Sequence, residues 1–443
     1  MKKNKAYQFL TDNGLLVILL LAFIIRMIYF VSLQPWNNDV INKSVLAYDA
    51  GGYHNMALGL LFDHSFNNCG SIRTPVYPIF LAVCYLISGK TIWFALFVQI
   101  IINLLTLLLT YKIALEFFTK EIALISVLLL ALDNHQSEFT VSLVTETLFT
   151  FIFISSIYFL CVGLIKRKKT IKYLAIGGCL LGLATLTRPI TFLFPVAAVI
   201  FIVGYYLIFN KAGSSKIRFK MCTVNSFIYV VFFLLTISPW LYRNYVLYNE
   251  VQLTSITGSN LLFYNVAITD TIKTGRPMKE AQAYFKQKAS ALGADTSDLH
   301  SFKNSQIYSQ MAIKYIKNNI FLYGKSYLKG MINLFYDVNR FSDIKTKPGI
   351  TRYKSTGFLI YFAVIYFFTI IGVISSVKKK QLITLLFLII IFYFDAITGV
   401  IGESRFRIPI MPFIYIFCSI GFVPFYTLIV NKFSKVKYLS QVQ

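Results

Sequence analysis

The sequence predicts an all-α polytopic membrane protein, and three observations lead to this fold class. Hydrophobic residues make up 57% of the 443-residue chain and charged residues only 14%, with a mean hydropathy of +0.65. Apolar stretches about as long as a membrane crossing recur along the chain. Lysines and arginines cluster between those stretches. Soluble globular domains do not combine these features, so the soluble classes are excluded.

Each crossing needs ~20 apolar residues, because the hydrocarbon core of a bilayer is ~30 Å thick. The first stretch is interrupted by Arg26 and is longer than the apolar core of a signal peptide, so we expect an uncleaved first crossing. We expect about 10 crossings, within a range of roughly 10–12. The apolar stretches lie at 15–33, 92–115, 122–140, 145–165, 172–187, 190–209, 221–240, 357–376, 382–401 and 413–430.

The basic clusters predict the orientation. They fall at Lys120, 166–169, 211–220, 378–380 and 432–437, and ten crossings place all of them on the side of the N-terminus. Cytoplasmic loops are enriched in lysine and arginine. We therefore expect a multi-pass protein of the cytoplasmic (inner) membrane with both termini in the cytoplasm. This distribution accounts for the formal charge of +25, so we expect membrane lipids as partners and no nucleic acid.

Three parts of the chain follow from this topology. Residues 1–240 form an N-terminal transmembrane module with a long first extracytoplasmic loop at 34–91. Residues 241–356 form an extracytoplasmic loop that we expect to cap the membrane surface, and 357–443 form the C-terminal transmembrane helices. Within the first loop, 74–88 is too short to cross and begins with prolines, which are tolerated in a first helical turn. We expect an interfacial helix there.

Two acids stand on the extracytoplasmic side. Asp49 lies in the first loop, just before Gly51 and Gly52. It is either a site for proton transfer or a solvated loop acid or helix cap. Glu146 begins the fourth crossing, where a carboxylate is costly unless it is paired or lines a cavity. A helix-start acid favoured by the helix dipole is the alternative.

Five arginines stand on that same side: Arg73, Arg188, Arg243, Arg405 and Arg407. Any one of them alone is typical of an arginine whose head group reaches the membrane surface. Together they exceed what the positive-inside rule requires on this side. Arginine binds phosphate through two parallel hydrogen bonds. We therefore expect a buried anionic ligand, with a lipid-linked phosphate as the natural candidate.

Cysteines and histidines give no sign of a metal site. The six cysteines are scattered without a CxxC pair, and the four histidines show neither HxxxH nor HExxH spacing. We expect no disulfide framework, no metal and no cofactor.

The motifs, taken in chain order, resemble the dolichyl-phosphate-mannose-protein mannosyltransferase family in its bacterial form. This is the family 39-like branch of the C-type glycosyltransferases, which also holds the aminoarabinose transferases. The resemblance runs from the first crossing to Pro412. It is carried by Tyr48-Asp49-Ala50, Tyr53, Ala57, Arg73-Thr74-Pro75-Val76-Tyr77-Pro78, Thr145-Glu146-Thr147-Leu148-Phe149, Arg188-Pro189, Pro239-Trp240, Arg243-Asn244, Arg405, Arg407 and Pro409.

The resemblance implies a C-type glycosyltransferase bundle with interfacial helices and a cavity for a polyprenyl-phosphate sugar. The implied reaction moves a sugar to a lipid, glycan or protein acceptor on the extracytoplasmic face, with inversion. Asp49 would be the general base and Glu146 would orient the acceptor or the first-loop helix. The five arginines would bind the donor phosphate, with Arg407 and Arg73 ranked first. The substrate pocket would include Tyr48, Tyr53, His54 and Tyr77.

One departure from the family concerns the acid. Many relatives have two adjacent acids in the first loop, whereas Ala50 follows Asp49 here. Members that bind a metal use such paired acids, so this chain is expected to act without one.

Two other functions use the same features. A flippase or transporter of lipid-linked sugars would favour Gly- or Pro-broken crossings at matched positions in two halves, and the sequence shows no such pairing. A polysaccharide polymerase or ligase of related architecture is the nearer alternative.

Overall fold

In a computed structural model, the protein is described over 5–41, 45–46, 49–64, 66, 71–165, 169–210, 213–295, 298, 300–336, 356–379 and 382–439. Every regular element in these ranges is a helix. In chain order the α-helices are α1 (Lys5–Leu33), α2 (Asn38–Val40), α3 (Asp49–Phe62), α4 (Val76–Ser88), α5 (Ile92–Phe117), α6 (Lys120–Ala131), α7 (Asn134–Thr140), α8 (Glu146–Leu164), α9 (Thr170–Thr187), α10 (Phe194–Gly204), α11 (Ser215–Tyr248), α12 (Ile256–Asn260), α13 (Ala267–Thr274), α14 (Met278–Ala291), α15 (Phe302–Asn318), α16 (Ile320–Tyr336), α17 (Thr356–Lys378), α18 (Leu382–Thr398) and α19 (Met411–Leu439).

Four further helical segments have other geometries. Pro189–Thr191 and Ser404–Ile410 are 3₁₀ helices. Tyr205–Phe209 and Leu261–Val266 are π-helices. The predicted all-α fold class is therefore confirmed over the described ranges.

Eight helical stretches in the described ranges are long and apolar enough to cross a membrane. They are Asn13–Leu33, Ile92–Phe117, Glu146–Leu164, Thr170–Thr187, Pro189–Phe209, Ser215–Tyr248, Ile360–Lys378 and Ser404–Thr427. This number of stretches confirms a multi-pass membrane protein. The helix α11 continues to Tyr248, beyond the predicted end of its crossing at 240.

The predicted crossing at 122–140 is two helices rather than one. After α6 ends at Ala131, the Asp133 side chain accepts a hydrogen bond from the backbone N–H of Gln136 at 3.1 Å and caps α7. The buried Arg26 of α1 donates to the carbonyls of Leu130 and Ala131, at the C-terminal end of α6. Side chains of this kind satisfy the backbone groups that a helix end leaves unpaired, so the break is stabilised on both sides.

The described parts of the segments predicted as the first loop and as the cap contain shorter helices. The expected helix at 74–88 is present as α4, and α3 precedes it. The cap contains α12 to α16, with a small core of its own around Leu262, Phe285 and Tyr308. Ser71 and Ser255 join the first loop to the cap, because the Ser255 N–H donates to the Ser71 carbonyl at 2.9 Å and the two hydroxyls lie 2.8 Å apart.

Candidate active site

Asp49 is held at the first turn of α3 by two arginines. Its Oδ1 accepts a hydrogen bond from Arg73 Nη2 at 3.0 Å, and its Oδ2 lies 3.4 Å from both Nη atoms of Arg405. Gly52 makes this contact possible, because a Cβ at that position would lie 2.9 Å from Arg73 Nε. The Asp49 side chain nevertheless keeps 41% of its surface exposed. Its carboxylate can therefore be reached from outside the protein.

A stack of aromatic side chains fixes Arg73. Its guanidinium lies 4.1 Å from the centre of the Tyr53 ring, and the Tyr53 and Tyr77 rings meet edge to face with centroids 5.0 Å apart. The Tyr77 hydroxyl donates to Gln99 Oε1 at 2.8 Å. Burial lowers the pKa of Arg73, but Tyr53 and Asp49 outweigh it, and the pKa lies above its usual value. Arg73 is therefore a fixed, permanent cation.

Glu146 is the buried counterpart of Asp49. It begins α8 with 1% of its side chain exposed, and Arg188, at the end of α9, donates to its Oε1. Arg405 Nε lies 3.1 Å from that same oxygen. Because Arg405 also contacts Asp49, a single guanidinium joins the two acids.

The electrostatics of this group favour the ionised form of Asp49. Burial raises the pKa of Asp49, but the charges of Arg73 and Arg405 outweigh it and hold the pKa below its ordinary value. Asp49 is therefore ionised at neutral pH. Two carboxylates face the three guanidinium groups of Arg73, Arg188 and Arg405, and the nearby carboxylate of Glu403 also acts on Arg405.

The other predicted site residues lie in different places. His54 Nδ1 is 2.9 Å from the Tyr85 hydroxyl, and burial lowers its pKa, so the ring is neutral at pH 7. Arg243 donates to Asn244 Oδ1 at 2.8 Å and lies 4.5 Å from the centre of the Trp240 ring. Tyr48 falls outside the described residues.

Arg407 points away from the acids. It is buried, donates to the carbonyls of Leu334 and Phe335 at 3.1 and 2.8 Å, and lies 4.5 Å from the centre of the Phe362 ring. In the described structure its hydrogen bonds go to the end of α16 and not to Asp49 or Glu146.

The sequence analysis missed one tyrosine near Asp49. Tyr264, in the π-helix Leu261–Val266, is 45% exposed. Burial raises its pKa, and so do the nearby charges of Asp49 and Glu403. A tyrosine in a long polar segment carries no local pattern that assigns it to a site, but π-helical turns occur often at functional sites.

Within the described ranges, no three His, Cys, Asp or Glu side chains come together as metal ligands. Action without a metal stays a prediction.

A family model and several solved structures are similar to this chain. Residues 72–242 match the model of the dolichyl-phosphate-mannose-protein mannosyltransferase family. Arg73, Glu146 and Arg188 lie inside the matched range, whereas Asp49 and Arg405 lie outside it. No curated protein matches the sequence.

The structural likeness extends over nearly the whole chain. The archaeal oligosaccharyltransferase AglB from Archaeoglobus fulgidus, in complex with an inhibitory peptide and a dolichol-phosphate, has a TM-score of 0.56 at 15% identity, covering 98% of this chain and 52% of that one. A second structure of the Archaeoglobus fulgidus oligosaccharyltransferase, in complex with Zn and sulfate, has a TM-score of 0.55 at 14% identity, with 96% and 51% covered. This chain thus spans about half the length of these proteins.

ArnT from Cupriavidus metallidurans bound to undecaprenyl phosphate gives a looser likeness. Its TM-score is 0.42 at 13% identity, covering 89% of this chain and 78% of that one.

The family resemblance drawn from the motifs is confirmed over 72–242, and the C-type glycosyltransferase fold is confirmed by the likeness to AglB.

Proposed function

We propose that this chain, which has the C-type glycosyltransferase fold, transfers a sugar from a polyprenyl-phosphate donor to an acceptor on the extracytoplasmic face, with inversion. The observation that carries the proposal is the acid–arginine cluster, which we define as Asp49, Arg73, Glu146, Arg188 and Arg405. It places an exposed carboxylate beside three cations at one end of the helix bundle.

The two acids differ in exposure, and the difference assigns their roles. Asp49 has 41% of its side chain exposed and Glu146 has 1%. A general base must come within hydrogen-bonding distance of the proton it removes, and only the exposed acid of the two meets that condition for an acceptor hydroxyl. Asp49 is therefore proposed as the base. Glu146 holds Arg188 and Arg405 in place and is proposed as a positioning residue.

The arginines fit the charge of the donor. A polyprenyl-phosphate sugar is a phosphodiester with one negative charge, and the cluster offers the three guanidinium groups of Arg73, Arg188 and Arg405 to it. When the donor binds, Arg73 and Arg405 turn part of their hydrogen bonding from Asp49 to the phosphate. Because the two guanidinium groups then stabilise the Asp49 carboxylate less, the pKa of Asp49 rises and Asp49 becomes a stronger base. As the sugar leaves, the phosphate gains negative charge, and fixed cations stabilise that charge more in the transition state than in the ground state.

The unequal exposure of Asp49 and Glu146 supports inversion. A reaction with retention through a covalent intermediate needs a carboxylate nucleophile and a separate acid–base group. Glu146 is buried and hydrogen-bonded by arginine, so it is not available as a nucleophile. A phosphate leaving group needs no proton, and Asp49 alone is enough for a single displacement.

The donor class has support from a neighbour. AglB was solved with a dolichol-phosphate, and that protein shares the fold of this chain. The acceptor stays open between a lipid, a glycan and a protein. The lysine clusters support a place in the cytoplasmic membrane with both termini inside and the cluster outside.

The proposal is tested with purified protein in detergent, where no membrane separates two compartments. The donor is a polyprenyl-phosphate sugar, and envelope lipids, glycans and proteins are supplied as acceptors. We expect acceptor-dependent release of polyprenyl phosphate from the wild type. Asp49→Asn keeps the shape of the side chain but cannot take a proton, so turnover falls at least ~10²-fold while the donor still binds. Asp39→Asn, at an exposed acid of the same loop, is the matched control and should keep wild-type turnover.

Two results would contradict the proposal. Turnover of Asp49→Asn above about a tenth of wild type would remove Asp49 as the base. If no acceptor supports release, yet the reconstituted protein moves intact donor across liposomes, then the protein is a flippase.

A further inference from the structure

A groove of about 700 Å³ opens between the start of α9 and the first half of α11. Its lining includes three exposed lysines, Lys169, Lys172 and Lys220, which we call the rim, and three apolar residues, Ile171, Met221 and Val224, which we call the floor. None of the lining residues is acidic. The groove therefore combines a cationic rim with an apolar floor.

The groove lies next to a point where α9 and α11 pack closely. Gly178 of α9 lies against the Tyr229 carbonyl of α11, where a Cβ would come within 2.3 Å of the oxygen. Asn225 of α11 donates to the Tyr206 hydroxyl at 2.6 Å, on the neighbouring π-helix Tyr205–Phe209.

The groove lies at the opposite end of the bundle from the acid–arginine cluster. Glu146 stands at the start of α8 and Arg188 just after the end of α9, whereas the groove lies at the start of α9. The 18 residues of α9 span about 27 Å, at 1.5 Å per residue. The groove is thus about one bilayer core away from the cluster, on the side of the lysine-rich loops.

The groove has the chemistry of an anionic lipid site. The ammonium groups of Lys169, Lys172 and Lys220 can bind a phosphodiester, and the first turn of α9, which has no side-chain cap, adds backbone N–H groups that favour an anion. Ile171 is 62% exposed, Met221 44% and Val224 40%, and they lie where acyl chains can cover them. Basic pockets between helices on the cytoplasmic side bind lipid head groups in this way.

We propose that this groove binds one anionic phospholipid of the surrounding bilayer. The lysines hold its phosphate, and the apolar floor packs against its acyl chains. A soluble phosphate would leave the apolar floor uncovered, so the lipid is the better fit. The proposal is independent of the reaction at the opposite end of the bundle.

The test measures lipid binding to the full-length protein by native mass spectrometry. Phosphatidylglycerol and phosphatidylcholine are titrated into the delipidated protein in detergent. We expect wild type to bind one phosphatidylglycerol at least about tenfold more tightly than phosphatidylcholine, a difference of ~1.4 kcal/mol. A triple variant, Lys169→Gln, Lys172→Gln and Lys220→Gln, should lose that preference. The matched control, Lys112→Gln, Lys120→Gln and Lys378→Gln, removes three exposed lysines elsewhere and should keep it.

A second variant tests the floor without changing the charge. Val224→Trp places a larger side chain in the groove and should weaken phosphatidylglycerol binding at least about threefold, a change of ~0.65 kcal/mol or more. Equal losses in the groove and control triple variants would assign the effect to net surface charge and overturn the proposal. Displacement of the lipid by millimolar glycerol phosphate, or equal binding of the two lipids to wild type, would also overturn it.

Discussion

Arg405 connects the two acids because of the local geometry of its helix. Ser404–Ile410 is a 3₁₀ helix, in which residues two apart project about a third of a turn away from each other. Arg405 therefore faces Asp49 and Glu146, while Arg407 faces the carbonyls at the end of α16. The sequence predicts that both arginines lie on the same side of the membrane but does not reveal which one turns toward the acids.

This difference predicts unequal effects of the same substitution. Arg405→Lys keeps the charge but loses the planar group that reaches both acids. We expect it to lower kcat about tenfold or more, with a smaller change in donor KM, because a group aimed at the leaving phosphate acts in the transition state. Arg407→Lys should lower kcat much less and act on thermal stability instead. Steady-state kinetics with a polyprenyl-phosphate sugar measures both, and a larger kcat loss in Arg407→Lys would contradict these roles.

Replacing Arg73 should shift the pH profile of kcat/KM. The arginines hold the pKa of Asp49 below its ordinary value, so activity on the acid side falls only below the normal aspartate range. Arg73→Gln removes one cation, burial then raises the pKa of Asp49, and the acid limb of kcat/KM moves to higher pH. The control is Arg276→Gln, because Arg276 pairs with Asp270 at 3.4 Å and stacks on Tyr284 in the cap. If the acid limb stays in place in Arg73→Gln, or moves equally in both variants, then Asp49 is not the group whose titration sets the pH dependence.

At the scale of single elements, the turn between α18 and the 3₁₀ helix sets the position of Arg405. Gly402 has φ +51°, and a Cβ there would lie 2.0 Å from the Gly330 carbonyl of α16. The turn and α16 are therefore in direct backbone contact. The glycines show in the sequence, but this contact joins distant parts of the chain, and no local pattern reveals it.

Gly402→Ala should therefore disturb both folding and function. The positive φ costs about 1–2 kcal/mol for a non-glycine residue, and the clash with α16 adds about 1–3 kcal/mol of overpacking. We expect a lower thermal midpoint and a loss of turnover of about tenfold or more, because the turn carries Arg405. Gly275→Ala is the matched control, since Gly275 has φ +72° but nothing within 4 Å of an added Cβ. Gly275→Ala should lower the thermal midpoint through backbone strain alone and leave kcat unchanged. If Gly275→Ala lost as much kcat as Gly402→Ala, the contact with α16 would not be the cause of the lost turnover.

The break between α6 and α7 shows where periodicity fails as a guide. The run of apolar residues before Leu132 continues a helical pattern, and Asp133 could equally face a cavity within a helix. The structure uses Asp133 as a cap, and its Oδ2 also accepts from Tyr415 at 2.8 Å. The break in the helix depends on contacts that Arg26 and Asp133 make with other helices. A single sequence does not show which helices lie next to each other.

At the scale of the whole molecule, the site constrains the path of the chain. Asp49, Glu146 and Arg405 meet at one end of the bundle. The chain must therefore return to that end between α5 and α8, through α6 and α7, and again between α17 and Arg405, through α18. These two returns, added to the eight long apolar stretches, are in keeping with the predicted ten crossings. The apolar runs in the sequence led to this prediction, because a backbone inside the bilayer must satisfy its polar groups within helices. The segment 241–356 was predicted as an extracytoplasmic cap, but the bounds of α12 to α16 were not predicted, because these helices pack partly around a small core of their own.

The same path predicts which loops face the cytoplasm, and labelling can test it. In a functional cysteine-free background, we place single cysteines at two exposed lysines, Lys172 at the start of α9 and Lys303 at the start of α15. Ser255, in the cap, contacts Ser71 in the first loop, so Lys303 belongs to the side of Asp49. Lysine-rich loops stay in the cytoplasm. An impermeant maleimide should therefore label Lys303→Cys in intact spheroplasts and Lys172→Cys only in inverted vesicles. Labelling of both from one side would break the ten-crossing path, and the reverse pattern would place the acid–arginine cluster in the cytoplasm.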